Sequence, residues 1–122
     1  MKVIDGGAEL EEKQVGKKLL RIRITAEVDG VLRDYTTTFG RCGKNDAAVG
    51  RAYARADTPG GRQEDAKRIA ALVKALTGEE PKVYPMKYGR LVIVCDSAHL
   101  ENFKRYKELV GAIEKWLEET GQ

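Results

Sequence analysis

Hydrophobic and polar residues alternate from Lys18 to Val28, and this period of two predicts a half-buried β-strand. Asp29-Gly30 follows, a pair favoured in type I′ hairpin turns because both positions need a positive φ. The return strand, Val31–Phe39, is rich in β-branched and aromatic residues. The turn fixes the buried pairs as Val28 with Val31, Ile24 with Tyr35, Ile22 with Thr37, and Leu20 with Phe39. The opposite face then carries Arg21 and Arg23 beside Thr36 and Thr38, and Thr25 beside Asp34.

The middle of the chain predicts two helices. Gly40–Lys44 forms a turn, and the alanine-rich stretch 46–56 predicts a short helix despite Gly50. Thr58-Pro59-Gly60-Gly61 interrupts it. The second helix has one apolar stripe and ends at Gly78, which suits a C-terminal cap; the stripe comprises Ala66, Ile69, Leu72, Val73 and Leu76.

The last third predicts a second hairpin and a long helix. Strands 82–87 and 90–95 flank Tyr88-Gly89, and Asp96-Ser97 caps a helix that closes near Gly121, with a kink expected at Gly111. The element order is therefore ββ(α)αββα, an α+β fold whose antiparallel sheet of two hairpins carries helices on one face. Residues 1–17 form either a polar arm or an added strand, and residues 18–122 form a single domain.

Composition narrows the functional classes. The 122 residues are 42% hydrophobic and 34% charged with a net charge of +3, as in soluble globular domains. No apolar run approaches the roughly 20 residues that cross a bilayer, and no secretory signal is visible, which predicts a cytoplasmic protein without a membrane partner. A single serine and few amides among abundant Lys, Arg and Glu are typical of thermophile proteins.

No pattern for catalysis or cofactor binding emerges. Gly40–Lys44 lacks the glycine and hydroxyl residue of a phosphate-binding loop. Cys42, Cys95 and His99 lack a fourth ligand at zinc spacing, so buried thiols are favoured over a metal site, with a Cys42–Cys95 disulfide as the alternative. The acidic residues fall in polar segments, and the chain predicts neither an enzyme nor a cofactor.

Positive charge is concentrated in the first hairpin and the turn after it. Residues 18–55 hold eight basic side chains against four acidic ones. Arginine on an uncovered antiparallel sheet can read guanine in a major groove, while Thr and Lys meet phosphates. The alternatives are an ordinary solvated face or a face that pairs with a second copy in a homodimer. The candidate DNA-contacting residues are Arg21, Arg23, Arg33, Arg41, Lys44, Lys82, Lys87 and Arg90.

From Val49 to Gly121 the chain resembles the PaRep-type paralogous repeat proteins of hyperthermophilic crenarchaea. The resemblance implies an archaeal, thermophilic source and no known activity. Its carrying segments are Gly50–Arg62, Ala75–Gly78 with Glu80-Pro81 and Val83-Tyr84, then His99-Leu100, Phe103, Arg105-Tyr106, Glu108-Leu109 and Trp116–Gly121.

A more distant resemblance is to a LAGLIDADG homing-endonuclease repeat, whose saddle-shaped sheet lies on double-stranded DNA. It rests on the helix ending Leu76-Thr77-Gly78, on Pro81–Tyr84, on the basic hairpin and on the helix after Asp96-Ser97. The family's signature helix should precede the first hairpin, where only Val3–Gly7 stands. The resemblance implies a DNA-binding module without catalysis of its own. The alternative is a degenerate or half-site endonuclease, for which Asp5 is the weak catalytic candidate and Mg²⁺ the cofactor.

Overall fold

The computed structural model describes residues 1–14 and 16–121. Val15 in the predicted arm and Gln122 at the end of the predicted domain lie outside the described residues. The strands are β1 (Lys2–Gln14), β2 (Lys17–Val28), β3 (Val31–Cys42), β4 (Ala47–Tyr53), β5 (Lys82–Pro85) and β6 (Leu91–Cys95). The helices are α1 (Gly61–Thr77), α2 (Ser97–Phe103) and α3 (Lys107–Thr120).

All six strands form one antiparallel sheet in the order β1-β2-β3-β4-β6-β5. The β2–β3 hairpin has the predicted register from Leu20 opposite Phe39 to Val28 opposite Val31. Asp29 and Gly30 both have positive φ, as a type I′ turn requires. The α+β class is thereby confirmed, and the sheet is larger than the two predicted hairpins.

The helix predicted over residues 46–56 is wrong, because this stretch contains β4. β4 joins the two hairpins by pairing with β3 on one side and β6 on the other. Its buried residues Ala48, Gly50 and Ala52 alternate with more exposed ones. A Cβ on Gly50 would lie 2.7 Å from the Phe39 ring, so the small side chains make room for a bulky neighbour. Packing within the sheet outweighs the helix propensity of alanine here.

The three helices cover one face of the sheet. α1 has the predicted stripe and ends at Gly78 in the left-handed conformation. The predicted long C-terminal helix is wrong, since it is divided into α2 and α3 by residues 104–106, while Gly111 lies inside α3. Asp96 caps α2 as expected, and its side chain accepts hydrogen bonds from the N–H groups of Ala98 and His99. The core between sheet and helices is centred on Trp116, Phe39, Phe103, Leu20 and Ile93.

The N-terminal segment is the added strand rather than a free arm. β1 pairs with β2 along its length, interrupted by irregularities between Val3 and Asp5 and between Glu12 and Gln14. α3 packs against both β1 and β2, and the Trp116 indole donates a hydrogen bond to the Lys18 carbonyl at 3.0 Å. The N-terminal strand is therefore part of the same layered unit as the rest of the sheet.

Candidate nucleic-acid interface

We call the sheet surface that is turned away from the helices the open face. The alternation of side chains along each strand determines which residues lie on it. Residues paired across an antiparallel sheet point to the same side, and alternate residues along a strand point to opposite sides. Because Leu20, Phe39 and Cys95 are buried under the helices, their strand neighbours lie on the open face. The open face includes Arg21, Arg23, Thr36, Thr38, Arg51, Tyr53, Val92, Val94, Lys82 and Tyr84.

A groove of about 490 Å³ lies on this surface across β2, β3 and β4. Its lining contains five arginines and one carboxylate. The carboxylate, Asp34, accepts a hydrogen bond from the Thr25 hydroxyl at 2.5 Å. Three of these arginines pair with carboxylates that lie outside the lining, so the positive charge of the groove rests mainly on the other two. The lining residues are Arg21, Arg23, Arg33, Asp34, Thr36, Thr38, Arg51, Tyr53, Arg55 and Ile69.

The arginines of the groove differ in how they are neutralised. Arg21 forms an ion pair with Glu11 at 2.8 Å. Arg55 hydrogen-bonds Asp57, and this contact lowers the pKa of the Asp57 carboxyl. Among the described residues, Arg23 and Arg51 have no carboxylate oxygen within 4.0 Å, and the Arg51 guanidinium contacts the Cys42 Sγ at 3.8 Å. Both of these arginines are exposed, so their charge is available to an anionic ligand.

Two of the predicted DNA-contacting residues lie on the helix side of β3. Arg33 donates to Asp65 of α1 through Nε at 3.0 Å and Nη2 at 2.7 Å, and it also stacks over Tyr35. Arg41 lies over the Trp116 ring at 4.8 Å. Arg33 reaches the groove lining from this side, but both guanidinium groups are engaged in holding helices on the sheet.

The four predicted residues outside the first hairpin's strands are all exposed. Lys82 lies on the open face, in register with Val94 and, beyond it, Arg51. Arg90 shares a notch of about 340 Å³ with Tyr53 and Arg62. The other two lie in turns at opposite ends of the fold, with Lys44 between β3 and β4 and Lys87 at the tip of the β5–β6 hairpin. The structure thus brings Arg21, Arg23 and Lys82 onto one surface, and places Lys44 and Lys87 apart from it.

The site residues that the sequence interpretation missed come from β4, from the residues directly after it and from β5. Arg51, Tyr53 and Arg55 fall in the stretch predicted as a helix, so they could not be placed on a sheet face. Tyr84 was assigned to a strand whose buried side was not settled. The alternation of small residues at 48, 50, 52 and 54 with larger ones at 49, 51, 53 and 55 was the available signal for a strand.

The remaining candidate residues form no shared site. Cys95 is buried as predicted, whereas the predicted burial of Cys42 is wrong, because this residue is exposed. Both thiols are free, so the disulfide alternative is also wrong. His99 contacts Asp96 within the cap of α2. Asp5 is exposed, and its carboxylate accepts a hydrogen bond from the Gly6 N–H at 2.9 Å. Across residues 1–14 and 16–121, no group of three or more His, Cys, Asp or Glu side chains is placed to hold a metal ion.

Fold and surface together define a six-stranded antiparallel α+β protein with one helix-covered face and one open face. The open face carries exposed arginines on β2 and β4 and carboxylates on β1, where Glu9 lies opposite Arg21. Comparison with protein-family models, with curated proteins and with solved structures finds no match to this chain. In the part of the chain that the structure describes, no helix is long and apolar enough to cross a membrane.

Proposed function

We propose that this protein is a DNA-binding module that uses the open face of its sheet. The observation that carries the proposal is the groove lined by five arginines and a single carboxylate. Two of these arginines, Arg23 and Arg51, have no carboxylate partner among the described residues. Arginine forms charge-assisted hydrogen bonds with phosphate oxygens, and phosphate contacts supply most of the affinity of non-specific DNA binding.

The sheet presents these cations on a rigid scaffold. Arg23 and Arg51 come from β2 and β4, which are held together by β3 through continuous backbone pairing. Thr36 and Thr38 lie between them and add hydroxyl groups that can contact phosphate. The sheet therefore fixes the backbone positions of these donors before a ligand arrives, and only their side chains have to be ordered on binding.

Salt-dependent DNA binding tests the proposal. In a filter-binding titration from 50 to 200 mM salt, the affinity should fall, with a log–log slope of roughly 0.7 to 0.9 for each phosphate contacted. Replacing Arg23 and Arg51 together by Gln should weaken binding at least about tenfold. The log–log slope should fall by the amount that corresponds to about two phosphate contacts. The matched control replaces Lys67 and Lys107, which lie exposed on the helices, and should leave binding unchanged. Equal losses in both double variants would contradict a specific face.

Light scattering during the same titration tests self-association through the open face. A module that presents this face to DNA should remain monomeric without DNA over a wide range of protein concentration. A dimer that dissociates when DNA is added would instead show that the open face pairs with a second copy.

The LAGLIDADG-like alternative adds Mg²⁺-dependent cleavage to DNA binding. The described residues offer no carboxylate cluster around Asp5 that fits a divalent ion. A plasmid-nicking assay with Mg²⁺ should give no product with the wild-type protein. Nicking that disappears in Asp5→Asn would replace the present proposal by a half-site endonuclease.

A further inference from the structure

Two exposed tyrosines lie in one row across the open face. Tyr53 of β4 stands opposite Val92 of β6, and Val92 stands opposite Tyr84 of β5. The tyrosines are 51% and 46% exposed, whereas Val92 between them is only 6% exposed although no helix covers that face. The two tyrosines therefore flank the valine in register, and each presents about half of its surface to solvent.

A second row, parallel to the first, carries positive charge. It runs Arg21–Thr38–Arg51–Val94–Lys82 through the same strands. The two rows are two residues apart along each strand, which is about 7 Å. Arg23 and Thr36 extend the aromatic row onto β2 and β3. Aromatic rings and cations thus follow adjacent lines across the sheet.

We infer that the open face binds single-stranded DNA, with bases stacked on Tyr53 and Tyr84 and phosphates on Arg51 and Lys82. This inference rests on the proposed DNA-binding function and names the form of its ligand. A strand laid across the sheet places its bases over the aromatic row and its phosphates over the basic row. Basic grooves combined with aromatic stacking platforms bind single strands without requiring a particular sequence.

The dimensions of the surface favour a single strand over a duplex. Six strands spaced about 4.8 Å apart form a face about 24 Å wide, whereas the major groove is about 12 Å wide and admits a two-stranded ribbon. In a duplex the base faces are already stacked on one another. The exposed faces of Tyr53 and Tyr84 would then have no partner, and only the arginines and Lys82 would be used.

Competition between strand forms tests the inference. Binding of labelled dT20 is measured against unlabelled dT20 and against a 20-base-pair duplex at equal salt. We expect the single strand to bind at least tenfold more tightly. Duplex binding equal to or tighter than that of the single strand would overturn the inference and leave the DNA-binding proposal standing. Binding of neither form would overturn both.

Tyrosine variants supply the second arm. Tyr53→Ala and Tyr84→Ala should each weaken dT20 binding by between about fivefold and a hundredfold, the range for loss of one base-stacking ring. The matched controls Tyr53→Phe and Tyr84→Phe keep the ring and should bind within about twofold of wild type. Unchanged binding in the alanine variants would contradict stacking. Trp116 is fully buried on the helix side, so its emission confirms that every variant is folded.

Binding of an rU20 strand distinguishes RNA from DNA as the single-stranded ligand. Tighter binding of rU20 than of dT20, with the same loss in the tyrosine variants, would support stacking of single strands and overturn DNA as the ligand.

Discussion

The arginines of β2, β3 and β4 differ according to the face on which they lie. Arg33 and Arg41 lie on the helix side of β3, where one binds Asp65 and the other lies over Trp116. Arg23 and Arg51 lie on the open face of the neighbouring strands, exposed and without a carboxylate partner among the described residues. The same side chain holds helices on the sheet in one position and offers its charge to solvent in the other.

The comparison shows that strand parity, rather than the number of basic residues, separates the arginines that hold helices on the sheet from those that are exposed on the open face. Tyr35, Thr37 and Phe39 were predicted to be buried from the hairpin pattern alone. Arg33 and Arg41 have the same parity on β3, so the same pattern places them under the helices. A candidate surface assigned from charge density alone combines arginines that hold helices on the sheet with arginines that are exposed on the open face.

The largest expected effect comes from the ion pair beneath the helices. Asp65 has no exposed surface, and it accepts hydrogen bonds from Arg33 and from the Arg55 backbone N–H while lying 3.6 Å from Arg68. Asp65→Asn leaves buried guanidinium charge without its anion and should lower the free energy of unfolding by about 3–5 kcal/mol. Denaturant unfolding, monitored by the fluorescence of Trp116, measures this loss in the free energy of unfolding.

The control for this prediction is the ion pair on the open face. Glu11→Gln removes the carboxylate that pairs with Arg21, whose side chain is 44% exposed. The cost should be less than about 1 kcal/mol, because water replaces the lost partner. Similar losses in the free energy of unfolding for Asp65→Asn and Glu11→Gln would contradict the difference between the helix side and the open face.

Glycines on the two faces give a smaller contrast. Gly50→Ala introduces a Cβ against the Phe39 ring, with carbon contacts of 2.7–2.8 Å, and should destabilise the fold by about 1–3 kcal/mol. Gly7 has no neighbouring atom within 4 Å of the corresponding position. Gly7→Ala should therefore be neutral or stabilising by about 0.4–1 kcal/mol. Thermal unfolding of the two variants measures the difference, and a neutral Gly50→Ala would show that Phe39 can move.

The last prediction concerns the two thiols, and its effect is absent at neutral pH because it develops only under alkaline conditions. Burial, together with the nearby Asp96 charge, raises the pKa of Cys95 from 9.0 to about 12. The unfolded chain then ionises first, so the contribution of this thiol is complete below pH 9 and is lost as the pH rises towards 12. Stability should fall by up to about 1.4 kcal/mol per pH unit in that window.

Cys95→Ala should remove this dependence after allowance for its lower stability at neutral pH, whereas Cys42→Ala, on an exposed thiol, should retain it. Urea unfolding between pH 8 and 11 compares the two variants. An unchanged pH dependence in Cys95→Ala would contradict the assignment.

The sequence was most informative where one face of a strand is apolar and a turn fixes the pairing. Asp29-Gly30 and the alternation on β2 determine the register of β2–β3 without further information. β4 could not be recognised in the same way, because a central strand beside Phe39 must carry small residues, and the alanines among them also suit a helix. The break between α2 and α3 at residues 104–106 was missed because the apolar stripe that predicted one long helix continues on both sides of it.

The site was harder to predict than the fold, because its rows run across strands distant in the chain. Lys82 and Arg21 are brought into one row by β3, β4 and β6 together. Once β4 was assigned to a helix, Arg51 and Tyr53 could not be placed between them. The incorrect helix therefore removed the middle of this row, while Arg21 and Lys82 at its two ends were already among the candidate residues.

The packing of α3 on β1 has a consequence for folding during synthesis. Trp116 donates its hydrogen bond to Lys18, 98 residues earlier in the chain. On the ribosome, β1 and β2 emerge well before the helix that covers their apolar side. Leu10 and Leu20 then remain open to water, to chaperones or to other nascent chains until α3 is released. Burial of the apolar side of β1 and β2 therefore has to wait for synthesis of α3, although both strands are made much earlier.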